Sequence, residues 1–293
     1  TYMGNEAVKQ VSKIKAWLGM MRISNAPTIV SNILVGTAIA MQSNGFGWSP
    51  AYYFFFAFCI LIVYFAGMIL NDAIDAKHDK THRPERPIPS GVIRQATAWL
   101  LGLTLLVAVS IFALGQGSAN GLVLLVIAVL LYTFFHRWFI PAILFMAICR
   151  GLVYLVIANP IQGNTNSQLI IYCVALAFYT AVLTCIGRFE NTKNSNYAWI
   201  TWLLLLSPTY IVLSTFSTSW IAFIPLAGMA YWTWLAWANF RAGNKIAGMH
   251  RILSGFCLLD CVLATSLEQF VIAGICFVLF IITVAFHRKI HGT

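Results

Sequence analysis

Apolar stretches long enough to cross a membrane recur along almost the whole of this 293-residue chain. A transmembrane helix needs about 20 predominantly apolar residues. In lipid each such stretch is expected to be helical, because a helix satisfies its backbone hydrogen bonds within itself. The sequence therefore predicts an all-α, polytopic membrane helix bundle of about nine to ten transmembrane helices. The predicted spans are residues 23–42, 50–70, 95–115, 118–135, 139–158, 168–187, 196–216, 219–238, 251–265 and 268–286.

The composition excludes an ordinary soluble protein. Hydrophobic residues make up 60% of the chain and charged residues 9%, whereas soluble domains carry about 25% charged residues. The net charge of +10 would suggest nucleic acid in a soluble protein, but here the basic residues fall in alternate connections. By the positive-inside rule, the N-terminus and the basic loops are predicted to be cytoplasmic, and no nucleic acid is expected. The connections without Lys or Arg are residues 42–49, 115–120, 159–168 and 214–219.

The spans are read as one integral membrane domain over residues 1–293, because no soluble domain or low-complexity tract interrupts them. Residues 6–21 place apolar side chains opposite lysines, which predicts an amphipathic helix at the membrane interface. Residues 266–269 (SLEQ) are typical of a helix cap and divide the last apolar run into two spans. Nine spans with a kinked last helix is the alternative.

A cluster of acidic side chains directly follows the second span. Asp72, Asp75 and Asp79 are three of the eight acidic residues of the chain, and Asn71 precedes them. On a helix, this spacing brings the side chains onto one face. A carboxylate at the end of a membrane span is costly and therefore indicates a functional site. Because Mg²⁺ prefers carboxylate and amide oxygens, these four residues are the predicted magnesium ligands.

Basic residues follow the acids in the same connection, residues 71–94, which we predict to be a cytoplasmic motif loop. Its prolines and its Ser-Gly pair stiffen and turn the chain. Lys77, Arg83 and Arg86 are expected to bind phosphate oxygens, arginine as a fork and lysine as a point charge. The alternative is that the acids and bases are simply solvated and paired with one another.

This stretch resembles the first aspartate-rich motif of the UbiA superfamily of intramembrane prenyltransferases, NDxxDxxxD followed by R-P-x-x-S-G. The motif runs from Asn71 to Asp79, and Arg86 begins the second part, RPIPSG. The resemblance implies a UbiA-like bundle with a cavity open sideways to the lipid. It also implies Mg²⁺-dependent transfer of a prenyl group from prenyl diphosphate to an aromatic or lipophilic acceptor, with Asp72 and Asp75 as catalytic residues. Membrane lipids are the other expected partners.

Two further segments resemble the same family more loosely. Arg22 lies just ahead of the first span and is followed by the Pro of an R-x-x-x-x-P pattern. Residues 132–137 (YTFFHR) resemble the Tyr-rich end of helix four, whose basic residues help to hold diphosphate in the family. The resemblance therefore implies that Arg22 and Arg137 bind the diphosphate.

The second aspartate-rich motif of the family departs from the usual pattern in this chain. That motif typically supplies two or three further aspartates that hold a second Mg²⁺ at the cytoplasmic end of helix six. The matching region, residues 187–194, contains Glu190 as its one carboxylate, with Arg188 and Lys193 beside it. The resemblance implies that Glu190 is a catalytic metal ligand, and that Arg188 and Lys193 bind substrate in place of the second ion.

Arg150 and Asp260 lie about halfway through the fifth and ninth predicted spans. An unpaired charge at this depth costs at least about 2.5 kcal/mol. One interpretation is a structural ion pair between the two helices. The other is that one of the two residues lines the substrate cavity, with Asp260 as a proton acceptor or an acceptor-orienting group.

Two other classes of function stay open from the sequence. A non-catalytic UbiA-like protein would bind or present a lipid or metabolite in a biosynthetic or export assembly, and the reduced second motif favours it. A transporter is disfavoured, because the sequence has no visible inverted repeat and few ionisable residues within its spans. Release of diphosphate would identify an enzyme, and flux across vesicles would identify a transporter.

Overall fold

The structure is a computed structural model that describes residues 13–44, 50–115, 120–158, 167–189, 195–215 and 219–289. In these ranges the regular structure is helical throughout. Segments of 3₁₀ helix lead into three of the helices, over Ile23–Asn25, Ser195–Leu205 and Trp220–Ala222. The helices are α1 (Lys13–Met20), α2 (Ala26–Asn44), α3 (Pro50–His82), α4 (Gln95–Gly115), α5 (Asn120–Phe135), α6 (Phe139–Ala158), α7 (Ser167–Phe189), α8 (Leu206–Ser214), α9 (Phe223–Arg241), α10 (Lys245–Ser266) and α11 (Phe270–Lys289).

The predicted all-α membrane bundle is confirmed. In the described part of the chain, nine helical segments are long and apolar enough to cross a membrane, and the shorter apolar helix Gly121–Phe135 accompanies them. The last apolar run is two separate helices, because α10 ends at Ser266 and α11 begins at Phe270. Glu268 between them has φ 59°, a left-handed conformation that no continuous helix contains. A single kinked last helix is therefore not what forms.

One predicted boundary is wrong. The segment 71–94 was expected to be a loop, but α3 continues through the acidic motif to His82 and the loop begins at Arg83. With 33 residues at 1.5 Å each, α3 is about 50 Å long and exceeds the hydrocarbon core of about 30 Å. Its last turns therefore extend beyond the apolar layer, where charged side chains are compatible with a helix.

The N-terminal amphipathic segment is described only in part. Within the predicted 6–21, residues 6–12 lie outside the described residues, and α1 covers Lys13–Met20. Ala16 and Met20 pack with residues of α3, while Ile14 is 72% exposed and points away from the bundle. The location of this helix at the membrane interface stays a prediction.

Helices α2 and α6 lie at the centre of the bundle. Each of two apolar clusters contains residues from both helices. One cluster extends towards α3, α4 and α5, and the other towards α7, α9 and α10. The two helices approach closely at Gly36, where an added Cβ would overlap the side chain of Ile157. Polar residues of α2 can therefore reach both α6 on one side and α10 on the other.

Candidate functional site

A cavity of about 890 Å³ lies among α2, α3, α5, α6, α7 and α10. Much of its wall is apolar, and one end carries the charged residues of the sequence motifs. The apolar wall includes Ile29, Ile60, Val63, Leu125, Val129, Val153, Leu183 and Leu253. Tyr64 and Tyr132 also line it. The site therefore combines an apolar chamber with a polar mouth.

The described lining carries six arginines but only two carboxylates, those of Asp75 and Asp79. Such an excess of positive charge on low-dielectric walls attracts anions. The apolar part of the same cavity suits a hydrocarbon chain. The arginines are Arg22, Arg83, Arg86, Arg137, Arg150 and Arg188.

Arg86 holds two acids of the first motif together. Its Nη1 donates to Asp79 Oδ2 at 2.7 Å and lies 3.8 Å from Asp72 Oδ1. The Arg86 residue is only 7% exposed, so the charges are screened little by water. The two carboxylates, two helical turns apart on α3, thus converge on a single cationic group.

The loop after α3 positions Arg86 by folding back on the helix. Its turns are closed by backbone hydrogen bonds, including Ser90 N to Arg86 O at 2.9 Å and Ile93 N to Pro87 O at 3.0 Å. Gly91 has φ +79°, a conformation that glycine adopts without strain. Gln95 Nε2 then donates to the carbonyl of Ala73 at 2.8 Å. This loop geometry holds the guanidinium of Arg86 over the acidic face.

Asp75 is paired with the end of α5 instead. His136 Nε2 lies 3.1 Å and 3.2 Å from the two carboxylate oxygens, and Arg137 Nη2 donates to Oδ1 at 3.3 Å. The other ring nitrogen of His136 lies 2.8 Å from the Thr133 carbonyl, which can only accept. Nδ1 therefore carries a proton, and the contact with Asp75 needs a second proton on Nε2 or on the carboxyl group.

Arg22, just before the 3₁₀ turn that leads into α2, is the second arginine near Asp72. Its backbone is left-handed, with φ 48°, which is uncommon for a residue with a side chain. The Tyr64 hydroxyl donates to the Arg22 carbonyl at 3.2 Å and helps to fix this turn. The Arg22 Nη2 consequently lies 4.0 Å from Asp72 Oδ1. Backbone strain at a turn of this kind is common at functional sites.

The side-chain oxygens of the first motif fit a magnesium site that leaves some coordination positions to water and substrate. Asp72 and Asp79 converge on one cation, and Asn71 Oδ1 is buried without a hydrogen-bond partner. In the described ranges, no three His, Cys, Asp or Glu side chains gather as a closed metal cage. Mg²⁺ is commonly held by one or two carboxylates, with water and substrate phosphates as the other ligands. The residues present suit that arrangement.

The remaining predicted site residues fall into three groups. Arg83 and Arg188 line the cavity, as do Arg22, Asp75, Asp79, Arg86 and Arg137. Asn71 and Asp72 are not among its described lining residues, but Asp72 contacts the lining arginines Arg22 and Arg86. Lys77 is exposed on α3 and is not one of the described residues that line the cavity, so the structure does not bring it to the site. Glu190 and Lys193 lie outside the described residues, and their predicted roles stay predictions.

Arg150 and Asp260 are joined through a third residue. Asn32 Nδ2 donates to Asp260 Oδ2 at 2.8 Å, and Asn32 Oδ1 accepts from Arg150 Nη1 at 2.6 Å. The Tyr154 hydroxyl donates to the other oxygen of Asp260. A direct ion pair, the structural interpretation from the sequence, is therefore wrong in this respect: α2 lies between α6 and α10, and its amide bridges them. Arg150 lines the cavity, whereas Asp260 is fully buried outside it.

Sequence reasoning assigned no specific role to His136, Asn32 or Tyr154. His136 precedes Arg137 in the segment that resembles the family, so its position was a usable signal. Asn32 is one of several polar residues in the first span, and Tyr154 is one of eleven tyrosines. Neither belongs to a local pattern, and their importance follows only from contacts between distant parts of the chain.

The chain is similar to known proteins in both sequence and fold. The model of the UbiA prenyltransferase family matches residues 29–253. Digeranylgeranylglyceryl phosphate synthase from Methanococcus aeolicus is 26% identical over 241 residues, which cover 75% of this chain and 85% of that protein.

Two solved structures share the fold. One, reported for digeranylgeranylglyceryl phosphate synthase in membranes, has a TM-score of 0.58 and 18% identity, and the match covers 90% of this chain and 99% of that one. The other, a UbiA homolog from Aeropyrum pernix K1, has a TM-score of 0.59 and 17% identity and covers 86% and 96%. Because the family match spans most of the chain and the bundle has the same fold, this multi-pass membrane protein belongs to the UbiA prenyltransferase family.

Proposed function

We propose that this prenyltransferase moves a prenyl group from a prenyl diphosphate to a hydroxyl-bearing lipid, with the help of Mg²⁺. The observation that carries the proposal is one cavity with an arginine-rich mouth and an apolar chamber. A prenyl diphosphate has the complementary form, a polyanion attached to a hydrocarbon chain. The lipid acceptor is inferred from the relatives, whose name describes a prenylated glyceryl phosphate as the product.

The mouth residues would bind and neutralise the diphosphate. Arg22, Arg137 and Arg188 line the cavity at this end, and Arg86 is held there by the folded loop. Guanidinium groups form charge-assisted, often paired hydrogen bonds to phosphate oxygens. These bonds strengthen as the bond between the prenyl carbon and the diphosphate oxygen breaks, because the electron pair stays with the departing diphosphate.

The acidic face of α3 would hold the metal ion. Asp72 and Asp79 already converge on a cation, and Asn71 supplies a buried amide oxygen without a partner. Asp75 and, from the sequence, Glu190 are the other expected ligands. When bound, Mg²⁺ would neutralise negative charge on the diphosphate and so favour its departure.

The apolar chamber would protect the reacting prenyl group. Ile60, Val63 and Val129 offer no nucleophile and limit access of water to the developing allylic cation. Tyr64 and Tyr132 line the same space, and aromatic faces stabilise cations at short range. The acceptor hydroxyl would then form the new carbon–oxygen bond and lose its proton.

We infer that the mouth lies on the cytoplasmic side. The cations that line it come from the start of α2, the loop after α3, the connection between α5 and α6 and the end of α7. These four positions therefore meet at one end of the bundle. Connections rich in Lys and Arg are retained on the cytoplasmic side.

Diphosphate release from a labelled C20 prenyl diphosphate by the purified protein tests the proposal. The assay is run with and without Mg²⁺, and with a prenylated glyceryl phosphate as acceptor. Asp72→Asn, Asp75→Asn and Glu190→Gln should each lower turnover strongly. Glu85→Gln is the matched control, because Glu85 is exposed in the loop next to Arg86 and is not a described lining residue.

Turnover that needs Mg²⁺ and is lost in the motif variants but not in Glu85→Gln would support prenyl transfer. Binding of the prenyl diphosphate without release of inorganic diphosphate, in the presence of acceptor and Mg²⁺, would contradict the proposal. That result would instead favour a protein that binds or presents a prenyl lipid.

A further inference from the structure

A sixth arginine of the cavity lies away from the mouth. Arg150 is eleven residues into α6, or about 16 Å along the helix from its first residue, Phe139. It lines the same cavity as the mouth arginines, next to the apolar residues Val153 and Phe256. The ion pairs of the first motif involve Arg22, Arg86 and Arg137 rather than this residue. Its position therefore calls for a separate explanation.

The guanidinium of Arg150 is fixed in one orientation. Nη1 donates to Asn32 Oδ1 at 2.6 Å and to the Thr28 carbonyl at 3.4 Å, while Nη2 donates to Thr28 Oγ1 at 3.1 Å. The ring of Phe256 lies 4.3 Å from the guanidinium carbon and covers one face. Contacts with described residues thus use three of the five N–H donors. The group is preorganised and retains hydrogen-bonding capacity.

The negative charge that balances Arg150, that of Asp260, does not use the remaining N–H donors of the guanidinium group. Asp260 is 0% exposed, and its two oxygens accept from Asn32 and Tyr154. A direct carboxylate–guanidinium pair would have taken two parallel N–H donors of the arginine. With Asn32 between them, the pair balances charge within the bundle while Arg150 keeps an edge in the wall of the cavity.

We propose that Arg150 is a second anion site, which binds the anionic headgroup of the lipid acceptor. This inference rests on the proposed function. While the diphosphate of the donor is held by the mouth arginines, an acidic acceptor needs a counter-charge of its own within the cavity. A phosphate monoester is the headgroup that suits it best, because its oxygens match the guanidinium fork. Arg150 would thus select acidic acceptors over neutral ones.

Substitution of Arg150 alone would leave Asp260 buried without compensation, so the principal test variant changes both residues. Arg150→Gln with Asp260→Asn removes both charges and keeps groups able to hydrogen-bond to Asn32 and Tyr154. Arg150→Lys is a second variant, which keeps the charge but loses the fork. Arg251→Gln is the matched control: this arginine also lies over an aromatic ring, 5.4 Å from that of Trp232, but is not a described lining residue.

Each protein is assayed with a C20 prenyl diphosphate as donor and with two acceptors, a prenylated glyceryl phosphate and the same prenylated glycerol without phosphate. Loss of a charge-assisted contact should raise the KM for the phosphate acceptor about 10- to 100-fold in the double variant. Arg150→Lys should show a smaller increase. The KM for the donor and the turnover of the neutral acceptor should change less than about twofold, which separates this site from the diphosphate site.

Equal losses with both acceptors, a raised donor KM, or an unchanged preference for the phosphate acceptor would each overturn the assignment. Equilibrium binding of the prenylated glyceryl phosphate to the purified proteins is measured in parallel by calorimetry. If the wild type binds this lipid through Arg150 but releases no diphosphate, the proposed function fails while the anion site stands. If turnover occurs but binding is equal in wild type and both Arg150 variants, only the anion site fails.

Discussion

The mouth of the cavity and the network around Arg150 solve the same electrostatic problem in different ways. At the mouth, carboxylates touch their cations directly, as in Arg86–Asp79 at 2.7 Å. In the interior, Asn32 separates Arg150 from Asp260. The mouth is nearer to solvent at Asp75, whose side chain is 23% exposed, although Arg86 and Asp79 are themselves buried; in the interior, Asp260 is 0% exposed.

The difference shows what each region can do. Ion pairs whose members line the cavity, such as Arg86–Asp79, can exchange partners with a ligand that enters it, so a metal ion or a phosphate can replace one member of a pair. A fully buried network cannot exchange in this way, because an uncompensated charge in a low-dielectric interior costs several kcal/mol. The interior network therefore fixes geometry, and the mouth provides replaceable charges.

The largest expected effect is a difference in stability between variants of the interior network and variants of the mouth. Asp260→Ala removes the counter-charge of Arg150 and the acceptor of two buried hydrogen bonds. We expect it to destabilise the fold by about 3–5 kcal/mol. Asp75→Ala, at the mouth, should cost clearly less, because water reaches that site. Thermal unfolding in detergent compares the two, and equal melting temperatures would mean that the interior network has no special role.

A second prediction concerns the bridging amide. Asn32→Ala leaves Asp260 Oδ2 and Arg150 Nη1 without their common partner. Hydrogen bonds to charged groups contribute about 1.5–3 kcal/mol, so we expect a loss of that order in the free energy of unfolding. The control is Thr37→Ala on the same helix, since the Thr37 hydroxyl donates to the carbonyl of Ile33 one turn earlier, within α2 itself. A loss no larger than that of the control would show that Arg150 and Asp260 do not depend on the bridge.

The two regions also differ in how far the sequence predicts them, because the mouth contains a local motif whereas the interior network is formed by residues far apart in the chain. The helical face of Asp72, Asp75 and Asp79 follows from spacing alone, and so do the apolar spans. The start of the loop was placed at Asn71 rather than at Arg83, because a polar segment after a span has the composition of a loop. Asn32 meets Asp260 across 228 residues of chain. No periodicity encodes such a contact, since it depends on how the helices pack.

A third prediction tests whether the charges at the mouth are replaceable. Arg86→Gln removes the cation between Asp72 and the buried Asp79, so in the absence of Mg²⁺ we expect a loss of about 1.5–3 kcal/mol in stability. Excess MgCl₂ should restore most of it, because the ion can take the same position between the two carboxylates. Arg150→Gln should show no such rescue. Melting temperatures of both variants with and without MgCl₂ decide the matter, and equal responses would remove the distinction between the two regions.

The smallest expected effect on stability is at the outer edge of the mouth. The Arg137 side chain is 52% exposed, and its contact with Asp75 is 3.3 Å. An ion pair with this exposure contributes little, so Arg137→Gln should change the free energy of unfolding by no more than about 0.5 kcal/mol. Loss of its contact with diphosphate should nevertheless raise the donor KM about 3- to 10-fold. A variant that lost stability and donor affinity together would indicate that Arg137 is part of the fixed framework, and the mouth would then resemble the interior more than its contacts suggest.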